Sequence, residues 1–210
     1  MPASHVLSFA SHPEAGGVER ALFRLARGWA AAGRRVTLLV GETPPGFVPP
    51  PGVTLELLND PRRRTLWAGL PEMIRQARPD ILFCPGNAYT SLTLWTRLRL
   101  GSAAPPIVAK MSNAVHRHDH RPLTARGHAA WLALHGRFLD HLVAMTPATA
   151  AEAAAATGMA GRISVIPNPP PVRIANAPPF PLPSVPLVLG VGRLVAQKRW
   201  DRLIAALPRL

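Results

Sequence analysis

Short apolar runs that alternate with longer stretches of helical period constrain this chain more than any other feature. His5 to Ala10 reads as a first strand. Val18 to Ala32 follows as a helix, with Val18, Leu22, Leu25, Ala26 and Trp29 on one stripe and Gly33 as its stop. Arg35 to Val40 and Val53 to Leu58 read as strands separated by a Pro/Gly loop, Thr43 to Gly52. The spacing then predicts helices over Thr65 to Ala77, Tyr89 to Leu100, Thr124 to Leu139 and Pro147 to Ala156. Between and after them come strands Ile81 to Cys84, Ile107 to Lys110, His141 to Met145 and Ile163 to Ile166. Repeated β-α units of this kind predict an α/β fold, a doubly wound parallel sheet whose ligands sit at the carboxyl ends of its strands.

The texture changes at Pro167. Residues Pro167 to Pro186 carry nine of the chain's 25 prolines and no long apolar run, which predicts a stiff, extended connector. Leu187 to Val191 then reads as a new strand and Trp200 to Leu207 as a helix. One strand and one helix cannot bury a core. The expected organisation is therefore a first domain over 1–167, a linker over 168–186, and over 187–210 the opening unit of a truncated second domain.

Bulk properties narrow the function classes. Apolar residues make up 48% and charged residues 17%, a globular composition. No stretch reaches the ~18 apolar residues of a membrane span, and the N-terminus lacks the basic flank and long apolar run of a signal peptide. Cys84 is the one cysteine, so no intramolecular disulfide framework exists, and it reads as a small buried residue ending an apolar run. These features favour the cytoplasm. The net charge of +13 comes almost wholly from arginine, Lys110 and Lys198 being the only lysines. The arginines are scattered, with Arg62-Arg63-Arg64 the only triple, and aromatics do not interleave with them. That argues against a nucleic-acid surface.

Two loops carry candidate chemistry. Glu14 to Arg20 lies between the first strand and the first helix, and Gly16-Gly17 within it permit positive φ and bare backbone N–H groups at a helix N-terminus. Such a loop is either an anion cradle or a plain tight turn. It lacks the G-x-G-x-x-G spacing of a dinucleotide site. Gly192 to Lys198 follows the expected strand of the second unit. Arg193 as a fork and Lys198 as a point charge suit a diphosphate leaving group, on which negative charge develops as its bond breaks. The alternative is a solvated basic loop.

With these residues in place, a resemblance becomes specific. Gly16-Gly17-Val18-Glu19-Arg20, Val165-Ile166-Pro167-Asn168-Pro169, Val191-Gly192-Arg193-Leu194, Gln197-Lys198 and Trp200 to Ala206 resemble, in order and spacing, glycosyltransferase family 4 of the GT-B class. The match is weakest over residues 42–145. The resemblance implies two Rossmann-like domains, the second truncated here. It also implies sugar transfer from a nucleotide-sugar donor with retention, without a metal and without a cofactor, the nucleotide-sugar being a substrate. It assigns Arg193 and Lys198 to the diphosphate and Gly16 and Gly17 to the facing loop. The family's paired glutamates, eight positions apart, are missing, so the chain alone is expected to be inactive.

His116-Arg117-His118-Asp119-His120 has three readings: a zinc site, a solvated polar loop, or, by the resemblance, the place of a histidine that positions the donor sugar. In the last, His116 or His118 is the residue. Trp67 to Arg78, Leu92 to Arg99 and Trp131 to Phe138 mix aromatics with Arg or His. They suit packing against the sheet. Basic helices with aromatics also rest on anionic membrane, which would fit a lipid-linked acceptor at the inner face of the cell membrane; a glycan or small-molecule acceptor is equally open. Two rivals stand beside transfer: a non-catalytic acceptor-binding domain, and a nucleotide-sugar epimerase using carboxylates among Glu14, Glu19 and Asp119.

Overall fold

The computed structural model describes residues 4–13, 16–60, 62–112, 115, 122–169, 184, 187–192, 194–195 and 198–209. The chain divides into two compact units, Met1–Pro170 and Pro171–Leu210.

The first unit is a seven-stranded sheet in the order β3-β2-β1-β4-β5-β6-β7, with every pairing parallel. Its strands are β1 (His5–Ala10), β2 (Arg35–Val40), β3 (Val53–Leu57), β4 (Ile81–Cys84), β5 (Ile107–Met111), β6 (His141–Ala144) and β7 (Ile163–Val165). The helices are α1 (Gly17–Ala31), α2 (Arg63–Ala77), α3 (Thr90–Leu100), α4 (Pro122–Phe138) and α5 (Pro147–Thr157). The doubly wound parallel architecture expected from the sequence is present, with element ends shifted by one or two residues.

Handedness explains where the helices go. The chain steps from β1 to β2 in one direction and from β3 through β4 to β7 in the other, so right-handed crossovers place α1 on one face and α2 to α5 on the opposite face. The core divides accordingly. Leu22 and Ala26 of α1 pack with Val36, Leu38, Val40 and Phe83. Leu66, Leu70, Leu92, Leu132, Phe138 and Ala153 pack on the other side with Leu7, Leu82, Ile107 and Leu142. The order reverses between β1 and β4, which makes their carboxyl ends the crevice of the fold.

Local chemistry sets the helix ends. Gly33, at φ 76°, follows the last turn of α1. Thr146 caps α5 by accepting from the Thr149 N–H at 3.1 Å, Pro147 opens the helix, and Gly158 in the left-handed region closes it. Inside α2, Pro71 has no N–H to give the Trp67 carbonyl four residues back. That carbonyl accepts the Trp95 indole N–H instead, at 2.8 Å, which ties α3 to α2. The packing reading of the aromatic helices is met by Trp95 and Trp131, both packed against the core.

The amino ends of the strands hold a titratable cluster. Asp80 accepts from the Ser4 hydroxyl at 2.7 Å and from the His5 and Ser4 N–H groups, each at 2.8 Å, and these bonds, the hydroxyl's first, hold its carboxyl below the usual range. His5 is 3% exposed. Arg35 can only donate, so its contact with Nδ1 at 2.8 Å makes that nitrogen the acceptor. Nε2 therefore carries the proton to Thr37 Oγ1 at 2.9 Å. Burial first, then the Arg35 charge, lowers the His5 pKa below 6.5. A His with a depressed folded pKa contributes stability that is present above the unfolded value and lost as pH falls through the folded one. The melting temperature should therefore start to fall on acidification below about pH 6.5. His5→Gln should make that first limb shallower, leaving the part due to buried His135, whose pKa burial also lowers, and leaving the later carboxylate limb, as thermal unfolding across pH would record.

The second unit corrects one expectation. Leu187 to Val191 forms no strand; the backbone is irregular there. A strand is completed by neighbours that take its N–H and C=O groups, and among the described residues of this unit there is no strand to pair with. Helix α6 (Trp200–Ala206) does form. Its Trp200 indole lies across Gly190 and Gly192, where an added Cβ would clash with the ring at the first and crowd it, at 3.1 Å, at the second. Leu189, Val191, Leu194 and Ile204 are exposed.

Candidate functional site

The crevice is built from three strand ends. Beyond β1 run Ser11 to Pro13, then Gly16 as the N-cap of α1 and Gly17 as its first residue. Gly16 is fully extended, with φ 178° and ψ −168°, and neither glycine occupies the left-handed region. The positive-φ explanation for this pair is thus removed. A Cβ on Gly17 would meet no heavy atom within 4 Å, so neither backbone conformation nor packing in this fold asks for glycine there. No side chain caps α1; its first N–H groups lack intrahelical partners and carry the positive end of the helix dipole.

A buried network supports this turn from below. Tyr89, 2% exposed, donates its hydroxyl to Glu19 Oε1 at 2.9 Å. The Tyr89 hydroxyl oxygen in turn accepts from the Ser11 N–H at 3.3 Å and meets the Ser11 hydroxyl at 3.1 Å. Burial foremost, and the Glu19 charge further down, push the Tyr89 pKa up, so the phenol keeps the proton it donates. The Glu19 carboxylate is 8% exposed and is held beneath the loop by this bond.

At the end of β4, Gly86 is buried and extended, with φ 180°. A Cβ there would lie 2.6 Å from Ser112 Oγ and 2.9 Å from Val18 Cγ1. The first turn of α1 and the end of β5 therefore close directly over β4. Asn87 locks this arrangement: its Oδ1 accepts the Ser112 N–H at 2.7 Å and lies 3.3 Å from the Ser112 hydroxyl. Gly86→Ala is expected to destabilise the fold by about 1–3 kcal/mol through overpacking, measurable by denaturant titration. Cys84 is fully buried, donates to the Gly86 carbonyl at 3.5 Å, and has its thiol pushed up to about 12 by burial. It is a core residue, as expected.

The expected site residues have different fates. Gly16 and Gly17 stand at the crevice of the first unit. Lys198 belongs to the second unit, exposed, with its N–H on the Val195 carbonyl at 2.9 Å. Arg193, His116 and His118 lie outside the described residues, as do Glu14 and Asp119. No cluster of three or more His, Cys, Asp or Glu that could hold a metal occurs among the described residues. No helix among them is long and apolar enough to cross a membrane. Sequence reasoning missed Ser11, Gly86, Asn87 and Tyr89. Pro85-Gly86-Asn87 directly after an apolar run carries the same strand-end signal as Gly16-Gly17 and could have found two of them.

An all-parallel, doubly wound sheet with a glycine turn at its switch point defines a Rossmann-like domain. HepE from Anabaena, solved with UDP and glucose, matches with a TM-score of 0.57 at 14% identity, over 79% of this chain and 44% of that one. The lipopolysaccharide outer core galactosyltransferase WaaB matches at 0.56 and 13%, over 81% and 47%. The chain thus spans under half the length of either structure. No curated protein matches it in sequence. Residues 15–172 match the profile of Glycosyltransferase Family 4, and the chain belongs to that family.

Proposed function

We propose that this chain supplies the acceptor-side domain of a glycosyltransferase that moves a sugar from a nucleotide-sugar donor to an acceptor, with retention and without a metal. Family membership sets the reaction class. The observation that carries the local assignment is Gly17, a glycine the fold does not require, at the uncapped end of α1. Backbone N–H groups there receive donor phosphate oxygens, and a side chain would hold the phosphate off. HepE has been solved with UDP-glucose, which supports a uridine diphosphate sugar as donor. As the glycosidic bond to phosphate breaks, negative charge grows on the diphosphate, which the α1 dipole would offset; the family resemblance gives Arg193 and Lys198 the same task. His116 or His118 positions the sugar. Closure between the domains would exclude water, which otherwise competes as acceptor.

The epimerase reading gains nothing from Glu19, the one carboxylate at the crevice among the described residues, because Tyr89 holds it beneath the loop. Residues 1–210 alone are expected to transfer no sugar, because they span under half of HepE and of WaaB. An assay of this chain with a panel of nucleotide sugars tests this. Catalytic turnover would show that the donor residues here suffice. The same panel, given to a protein that joins these residues to a complete second domain, should give transfer to a glycan, lipid-linked or small-molecule acceptor.

A further inference from the structure

The third strand of the crevice carries a charge that the fold leaves unpaired. Lys110, the last residue but one of β5, is 4% exposed. It makes no hydrogen bond and no ion pair among the described residues, and burial alone lowers its pKa. An unpartnered nitrogen sealed from water would be a buried unsatisfied atom, and none occurs among the described residues. The ammonium therefore meets solvent while its stem is covered. We infer that Lys110 is a phosphate-binding residue of the crevice, with the Asn87 amide beside it.

Its place follows from the pleat of β5. Ile107, Ala109 and Met111 belong to the core beneath α2 to α5, and Val108 packs on the α1 side. The alternation of a strand therefore turns Lys110 to the α1 side as well. Two residues on, the Ser112 hydroxyl lies over Gly86, and so does Val18 from the first turn of α1. Lys110 thus stands just below the point where β4, β5 and the amino end of α1 converge, at the ligand-binding edge of the sheet. Asn87 adds donors there. The Ser112 N–H can only donate, so the Asn87 atom it meets at 2.7 Å is the carbonyl oxygen. The Asn87 amide N–H groups are turned the other way, without a partner among the described residues.

A charge taken from water with no counter-ion destabilises a fold, so packing gives no reason for a lysine here. An anion gives one. The ammonium meets phosphate oxygens as a point charge, and the amide N–H groups extend the array of donors. A phosphate group has the oxygens to meet both at once. It belongs either to the donor's diphosphate or to a phosphorylated acceptor, and the contact at Lys110 is the same. The source rests on the proposed transfer; phosphate binding at Lys110 stands or falls separately.

The chain has two lysines, Lys110 and Lys198, so lysine labelled with carbon-13 at Cε gives two NMR signals, which Lys110→Met assigns. Inorganic pyrophosphate, UDP, geranyl diphosphate and uridine are titrated in turn into the 210-residue chain. Pyrophosphate, and at least one of UDP and geranyl diphosphate, should move the Lys110 signal; uridine should not. Lys110→Met should weaken pyrophosphate binding by roughly tenfold or more, the scale of one charged hydrogen bond. Its melting temperature should hold or rise, because methionine fills the space of the stem without a charge. Movement with UDP assigns the phosphate to the donor; movement with geranyl diphosphate and not UDP assigns it to the acceptor. A Lys110 signal that moves with no phosphate at millimolar concentration, or with pyrophosphate alone, overturns the inference. So does a variant that loses stability and keeps its binding. A Lys110 signal unmoved by every ligand, beside UDP shifts at Gly16 and Gly17, removes this residue and leaves the donor reading in place. Movement with geranyl diphosphate, and no UDP shift at the turn, does the opposite.

Discussion

Gly17→Val, in a protein joining residues 1–210 to a complete second domain, is expected to lower donor affinity and sugar transfer together by roughly 10²-fold while the melting temperature holds. The magnitude is that of losing one pre-organised group that stabilises developing charge. The stability half follows from the fold. Gly17 opens α1 with no positive φ, and a Cβ there meets open space. Valine has the higher helix propensity, so the change should shift stability by only a few tenths of a kcal/mol. The opposite pattern, lost stability with donor binding retained, would make the loop a structural turn. Thermal unfolding and donor titration on one preparation separate the two.

In the same protein, Arg193→Ala and Lys198→Ala should each reduce transfer by roughly 10²-fold or more. On the proposed reading these cations would answer charge that appears on the departing diphosphate, so the loss should fall on kcat at least as heavily as on KM. Lys198 is exposed, and its truncation removes no core packing. Wild-type rates in both variants would remove the diphosphate assignment.

The parallel sheet was legible because each of its strands is an apolar run bounded by turn residues, and the runs alternate with helical stripes. The helix read over Pro147 to Ala156 is α5, whose ends Thr146 and Gly158 set. Leu187 to Val191 shows where that logic stops: an apolar run states a capacity to pair, and pairing needs neighbours. The glycine turn was found by position, but its backbone was misread. Adjacent glycines suggested positive φ, whereas Gly16 is fully extended and a Cβ on Gly17 would meet open space. The support beneath the turn was invisible in sequence. Tyr89 lies 78 residues from Ser11 and 70 from Glu19, and only the β1–β4 adjacency brings them together. Gly86 could have been suspected, but its crowding by Val18 and Ser112 depends on how α1 crosses the sheet.

The central claim is that the amino end of α1 receives a nucleotide diphosphate. Amide NMR of the 210-residue chain titrated with UDP tests it directly. The largest shifts should fall on the N–H groups of Gly16, Gly17 and Val18, and Gly17→Val should abolish them. Shifts confined to other parts of the chain, or none at millimolar UDP, would contradict the claim.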